Sequence, residues 1–428
     1  MKNIIRVTKL PIERDLFKYS IDSPKEKLIN LDSQCYIKLK GWIFDVNGNV
    51  PKLVLDCNKT SEHIPDVERG DVARAHKDAP SVCGFEIMID SGVNIKIGAV
   101  YQNSVIWFAA VSFELVSVLI GHEGYLFLDN DSNKSVMQYA GDLLIDSENL
   151  AQWEKYFARI TAEQQTNRFS SAFLIAPAKE YIFPDHYPVL RKGSTPFDQF
   201  LTTFKAKASI INPTEQLIRA RNYTYSKIDT HWTHYGSKLA AELVCRYFNH
   251  DYVDPDYTYK FVSTAGDLGV KLLPQVAEDL PQPDYSVLNG MRIFDNKILN
   301  RGRVHIYKNE QSSNDKTCVV FGDSFSTTLI IHLIFSFRRL VHVFSGADID
   351  WTIVHHEKPD FVLAEMTTRF FIKAPSAEFS LKNELFRKAS LFNEAQRRHA
   401  ITNLNRFSDP SVGYYKSISL AALNKIVS

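Results

Sequence analysis

Val319-Val320-Phe321-Gly322-Asp323-Ser324-Phe325-Ser326 is an apolar run broken by a glycine, followed by two polar residues and more apolar sequence. Thr317 to Phe321 reads as a buried strand, and residues 325–337 read as a mostly apolar helix. A strand that ends on Gly-Asp-Ser before a helix is a unit of an open α/β sheet. In such sheets ligands gather outside the carboxyl ends of the strands. A serine at that point is presented at the sheet edge, near the positive end of the next helix. Its own N–H and that of a neighbour can face a developing oxyanion, which makes Gly322 and Asp323 candidates for the oxyanion turn. Gly322 permits the tight turn. The tripeptide alone also reads as a helix cap, with Asp323 or Ser324 accepting from the first helical N–H groups.

A second stretch separates these readings. Lys227-Ile228-Asp229-Thr230-His231-Trp232 precedes a helical pattern whose apolar face is Leu239, Leu243, Val244 and Tyr247. A serine hydroxyl is a poor nucleophile near neutral pH and needs a base, and the base needs an orienting group. Asp and His two apart in an extended loop project to the same side. Asp229 then holds one imidazole nitrogen of His231 while the other faces Ser324.

Around these motifs the chain alternates strands and helices. Ser171 to Ala176 is an apolar strand ending at Pro177. Before it, Leu150, Trp153, Tyr156-Phe157 and Ile160 recur at helical steps. Leu340 to Phe344 and Phe361 to Ala364 read as further strands. The alternation predicts a doubly wound parallel sheet. Residues 374–428 read as helical and peripheral. Residues 30–118 differ, with short apolar or alternating runs at Lys52–Leu55, Phe85–Ile89, Val93–Ile97 and Val105–Val111, separated by turns such as Asp45–Asn49. That pattern predicts an antiparallel sandwich. The expected domains are therefore residues 1–118 and 119–428.

The paired motifs resemble the alginate O-acetyltransferase-like branch (the AlgX and AlgJ type) of the SGNH hydrolase superfamily. Asp229-Thr230-His231-Trp232 and Gly322-Asp323-Ser324-Phe325 match that branch in content and order. The order is permuted relative to ordinary SGNH esterases, where the serine comes first. Gly124–Leu128 with Asn130–Asn133, Leu174–Glu180, and Lys358–Leu363 through Glu365 and Arg369 are similar as well, so the resemblance spans roughly residues 120–372. It implies a permuted SGNH-like fold with Ser324 as nucleophile, His231 as base and Asp229 as its orienter. Ala178 stands where the branch has asparagine, Thr233 replaces another, and the late Glu-x-x-Glu-Arg keeps only Glu365 and Arg369. Trp232, Lys179 and Arg369 are candidates for substrate contact. Gly41–Asp45, Arg74–His76 and Gly84–Glu86 resemble a small β-sandwich found beside bacterial glycosyltransferases, which implies a glycan-positioning or scaffold role. Trp42 is then either a core residue or a sugar platform.

The bulk numbers exclude other classes. A net charge of +1 gives no electrostatic case for nucleic acid. Five scattered cysteines without a CxxC pair fit neither a disulfide framework nor a zinc ribbon. His231 and His234 with Asp229 lack a third ligand cluster, so no metal is expected. No run approaches the roughly 18 apolar residues of a membrane span, and the charged opening segment, whose Met1 lies outside the residues described below, does not read as a signal peptide. With these classes set aside, the resemblance implies an O-acetyltransferase acting on a capsule or O-antigen type glycan, with polysaccharide-biosynthesis partners, and the opening segment leads to the expectation that it is cytoplasmic. No bound cofactor is expected, and acetyl-CoA is the candidate acyl donor. The alternatives are a carbohydrate O-acetyl esterase with the same triad, or a non-catalytic glycan-binding module.

Overall fold

The computed structural model describes residues 2–10, 16–30, 35–57, 60–115 and 117–424. The chain divides into two compact units, one of residues 1–118 with 269–276, the other of residues 119–268 with 277–428. Among the described residues no helix is long and apolar enough to cross a membrane.

The first unit holds two antiparallel sheets. One orders the strands Lys27–Asn30, Lys2–Lys9, Ser104–Leu115, Ile95–Tyr101, Leu53–Asp56 and Thr60–His63. The other orders Phe17–Ser23, Tyr36–Asp45, Val82–Asp90 and Val67–Glu68. Alternation explains the sandwich. Along Tyr36–Asp45, Ile37, Leu39 and Ile43 turn inward while Lys38 and Lys40 face water. They meet Leu53, Ile97 and Phe108 of the other sheet in one apolar cluster. The charged segment from Asp66 to His76 forms a short strand and the helix Gly70–Ala75. Trp42 lies against Phe44 with ring centroids 5.7 Å apart and beside His76, which makes it a packing residue of a small satellite core.

The second unit is built on one sheet of β1 (Ser170–Ala176), β2 (Ile210–Ile211), β3 (Arg292–Asp295), β4 (Val304–Lys308), β5 (Thr317–Gly322), β6 (Arg339–Phe344) and β7 (Phe361–Thr367), in the order β2-β1-β7-β5-β6-β4-β3. The five strands from β2 to β6 are parallel; β4 and β3 add an antiparallel hairpin at one edge, which the strand–helix alternation did not announce. Central β5 is buried on both faces, as a covered parallel strand requires. Val319 and Phe321 join one core, Cys318 and Val320 the other.

Helix α1 (Ser147–Asn167) starts at Asp146, whose side chain accepts from Asn149 N, and buries Trp153, Tyr156 and Ile160. Helix α2 (His234–Tyr247) is capped by Thr233. Its buried face runs through Ala240, Ala241, Val244 and Cys245, so Tyr247 is exposed rather than part of the expected apolar stripe. Small residues there let α2 pack closely on α3 (Ser326–Leu333), the helix that follows β5. Of the tail read as helical, residues 374–424 are described and are largely helical but not peripheral: Leu385, Leu404 and Tyr415 are buried in the core on the α1 face.

Candidate active site

Ser324 occupies the turn between β5 and α3, at the carboxyl end of a central strand. Gly322 is a steric requirement of this turn. A Cβ there would lie 2.6 Å from both Glu365 Oε2 and Ser326 Oγ. Asp323 is buried and ties the turn down. Its N–H donates to Glu365 Oε2 at 3.0 Å, and its carboxylate accepts from Phe325 N at 2.9 Å and Thr367 N at 2.8 Å. Burial pushes both carboxyls up, Glu365 well above the carboxylate range. Ser326 Oγ donates to Asp323 O at 2.6 Å and faces His342 Nε2 at 2.8 Å; burial holds that histidine neutral.

The turn is thus held by Asp323 and Ser326, which leaves the Ser324 hydroxyl for another partner. Ser324 Oγ lies 2.7 Å from His231 Nε2, and His231 Nδ1 lies 2.8 Å from Asp229 Oδ1. His231 N also donates to Asp229 Oδ1 at 2.8 Å, so the two-residue spacing wraps the loop around one carboxylate oxygen. Asp267, from the segment after the strand Tyr259–Thr264, braces this loop. Its carboxylate accepts from Thr230 N at 2.7 Å and from the Thr230 hydroxyl, and its N–H donates to Asp229 Oδ2 at 3.0 Å. Burial would lower the His231 pKa, but the hydrogen bond and charge of Asp229, with Asp267 behind, outweigh it and raise the group above the ordinary imidazole value of about 6.5. Burial would raise the Asp229 carboxyl, but its bond to His231 pulls it below the usual range.

These three side chains open on a cleft of about 380 Å³. Residues 118–267 match the family model of the SGNH hydrolase-like domain of the acetyltransferase AlgX. That stretch of the chain is similar to the AlgX-type SGNH hydrolase-like domain. The resemblance read from the paired motifs is borne out, although the matched range ends before Ser324. No curated protein sequence matches the chain significantly. Among solved structures, Bacillus cereus PatB1 is similar at 13% identity over 61% of this chain and 99% of that one, with a TM-score of 0.44. The O-acetyltransferase domain of Pseudomonas putida AlgJ is similar at 16% over 65% and 96%, TM-score 0.41. Pseudomonas aeruginosa AlgX is similar at 12% over 61% and 68%, TM-score 0.37. Overlaps this loose do not assign an activity.

The structure places the remaining candidates differently from the sequence reading. Asp323 is not an oxyanion donor, because its N–H is spent on Glu365. Trp232 lines the cleft but is buried. Its indole N–H donates to Phe325 O and Thr328 Oγ1, so it fixes the loop against the nucleophile turn. Lys179 and Arg369 line a separate small cavity with Glu180 and Thr230 and are not brought to the cleft. Burial raises Glu180 to about 6. The Arg369 guanidinium lies over the Phe370 ring and is not paired with Glu365. His234 faces Tyr285 at 2.8 Å, away from any shared cluster with His231, and burial lowers it to about 4. Among the described residues Asp229, His231 and Asp267 form the one set with metal-ligand spacing, their donor atoms within 4.8 Å. A cation there would compete with the Asp229–His231 hydrogen bond.

Lys179 acts as an internal clamp. Its ammonium donates to the carbonyls of Ser226 and Lys227 at 3.1 Å and of Asp229 at 2.7 Å, in the loop that carries the motif. Burial lowers it to about 8. Lys179→Met leaves the Ser226 and Asp229 carbonyls without this donor, at about 1–3 kcal/mol per orphaned group. The expected result is a loss of about 2–6 kcal/mol in urea unfolding, with a fall in acyl turnover as the loop loosens. An unchanged midpoint would show that the loop holds itself.

Proposed function

We propose that this chain is a serine O-acetyltransferase that modifies a bacterial surface glycan of capsule or O-antigen type. The observation that supports it is the hydrogen-bonded line from Asp229 through His231 to Ser324 at the wall of an open cleft. Ser324 Oγ attacks the acetyl carbonyl of the donor while His231 Nε2 takes its proton. The tetrahedral intermediate collapses as His231 returns the proton to the leaving group, giving acetyl-Ser324. A sugar hydroxyl, deprotonated by the same histidine, then attacks the ester and frees the serine. Asp229 keeps the imidazole oriented and stabilises its protonated form. The donor is acetyl-CoA, in keeping with a cytoplasmic location, and residues 1–118 hold or scaffold the polymeric acceptor without entering the chemistry.

Mass spectrometry of candidate glycans incubated with the protein and acetyl-CoA tests this reading. An acetyl gain on the glycan supports it. Hydrolysis of a chromogenic acetyl ester with no transfer to any glycan replaces it with an esterase, and no turnover of either kind leaves a binding module.

The pH profile carries a further prediction. Only neutral His231 can accept the serine proton, so kcat/KM for a small acetyl ester falls as pH drops through the His231 pKa. Because that pKa is raised, the acid limb has its midpoint above about 6.5. Asp229→Asn removes the main cause of the rise and moves the midpoint down. A wild-type midpoint well below 6 contradicts the assignment.

A further inference from the structure

The cleft that holds Ser324 continues into a second, larger one of about 510 Å³. The two share Ser226, Thr233, His234, Leu280 and Pro281 in their walls, so they form one groove. Its far part is furnished with tyrosines that face solvent. Tyr223 is 69% exposed, Tyr235 45% and Tyr259 46%, although each is large enough to favour burial. Tyr223 and Tyr235 stand edge to face with centroids 5.9 Å apart. Exposed aromatic faces gathered along a concave surface mark a ligand site.

The charges in this groove narrow the ligand. Among the described residues Lys238 is the only lysine or arginine lining either part, and it is paired with Asp254. Glu278 and Asp229 contribute negative charge, and His234 is held neutral by burial. A uronic-acid chain would bring carboxylates to a groove with no free cation to receive them. Coenzyme A laid along the tyrosine-lined far part would bring phosphates there, so the donor has to reach Ser324 from another side of the cleft. Phosphate and carboxylate recognition is built from arginine and lysine, which the groove does not offer. A neutral pyranose instead presents an apolar C–H face to a tyrosine ring, with hydroxyls at its rim for the phenols and Asn222.

We infer that this groove is the acceptor subsite and that it seats a stretch of uncharged sugars on Tyr223, Tyr235 and Tyr259, leading one hydroxyl to Ser324. The inference rests on the acetyltransferase reading for its direction, but not for the binding itself. Isothermal titration of the full chain, without any acyl donor, tests it with cellohexaose, maltohexaose and mannohexaose against hexagalacturonate and acetyl-CoA. At least one neutral hexamer is expected to bind about tenfold or more tightly than hexagalacturonate. Tyr223→Ala with Tyr259→Ala is expected to weaken that binding about tenfold or more, while the matching Tyr→Phe pair, which keeps the rings, restores it. Restoration by phenylalanine separates loss of stacking from loss of fold. Equal or tighter binding of hexagalacturonate overturns the inference. So does failure of every neutral hexamer, or acetyl-CoA binding that disappears in the alanine pair. Chromogenic ester turnover by the unmodified chain is an independent readout: its absence sinks the acetyltransferase reading and leaves the groove result standing.

Discussion

Ser324→Ala is expected to abolish acyl turnover, by about 10⁴-fold or more, and to leave the protein folded. The size of the loss follows from mechanism. With no oxygen at this position there is no acyl-enzyme, and the His231 base has no proton to take, so the members of the line fail as a unit. The survival of the fold follows from the turn's construction. Ser324 is half-buried, and its hydroxyl contacts His231 Nε2, not the backbone. The turn is fastened instead by Asp323 to Phe325 N and Thr367 N, and by Ser326 to Asp323 O. Intact-protein mass spectrometry after exposure to acetyl donor supplies a second measurement, with an acetyl adduct on the native chain and none on the variant. Near-native turnover by a folded Ser324→Ala protein would remove Ser324 from the chemistry.

The contrast between Ser324 and Lys179 shows what a sequence can and cannot carry. The serine was legible because local pattern determines its place: an apolar strand, a glycine where no Cβ fits, and a helix directly after it leave the hydroxyl at the strand end. Asp229 and His231 were legible for the same reason, since two-residue spacing in a loop acts over a few ångströms. Lys179 follows a strand end too, and a cation at a strand end reads as a cleft residue. What decides its role is a loop some fifty positions onward, whose carbonyls converge on its ammonium. No local pattern encodes that convergence. Asp267 was missed likewise. It lies in the single-turn helix Gly266–Gly269, too short to leave a periodic pattern, and its role comes from tertiary contact with Thr230 and Asp229. The tail misled in the opposite direction. Its mixed composition hides a few large apolar residues, Tyr415 and Leu404 among them, that join the core on one face of the sheet.

Asp267 also shapes the second large effect. His231→Ala is expected to cost about 10⁴-fold or more in kcat/KM, because the proton acceptor itself is gone. Asp229→Asn is expected to cost about 10- to 100-fold less than that, since aspartate orients the imidazole and stabilises its charge but moves no proton. In this protein the gap is widened by geometry. Asp267 Oδ2 lies 3.9 Å from His231 Nδ1, close enough to stabilise the imidazolium when Asp229 is neutralised. The same carboxylate holds Thr230 on both its N–H and its hydroxyl, so the loop keeps its course in the single variant. Asp267→Asn alone should therefore be mild, whereas Asp229→Asn combined with Asp267→Asn should fall further than the product of the two single losses, toward the level of His231→Ala. A double-mutant cycle on small-ester turnover reads this coupling directly. Additive losses would make Asp267 a structural brace with no electrostatic part in the reaction, and a His231→Ala protein more active than Asp229→Asn would reverse the roles assigned to the two residues.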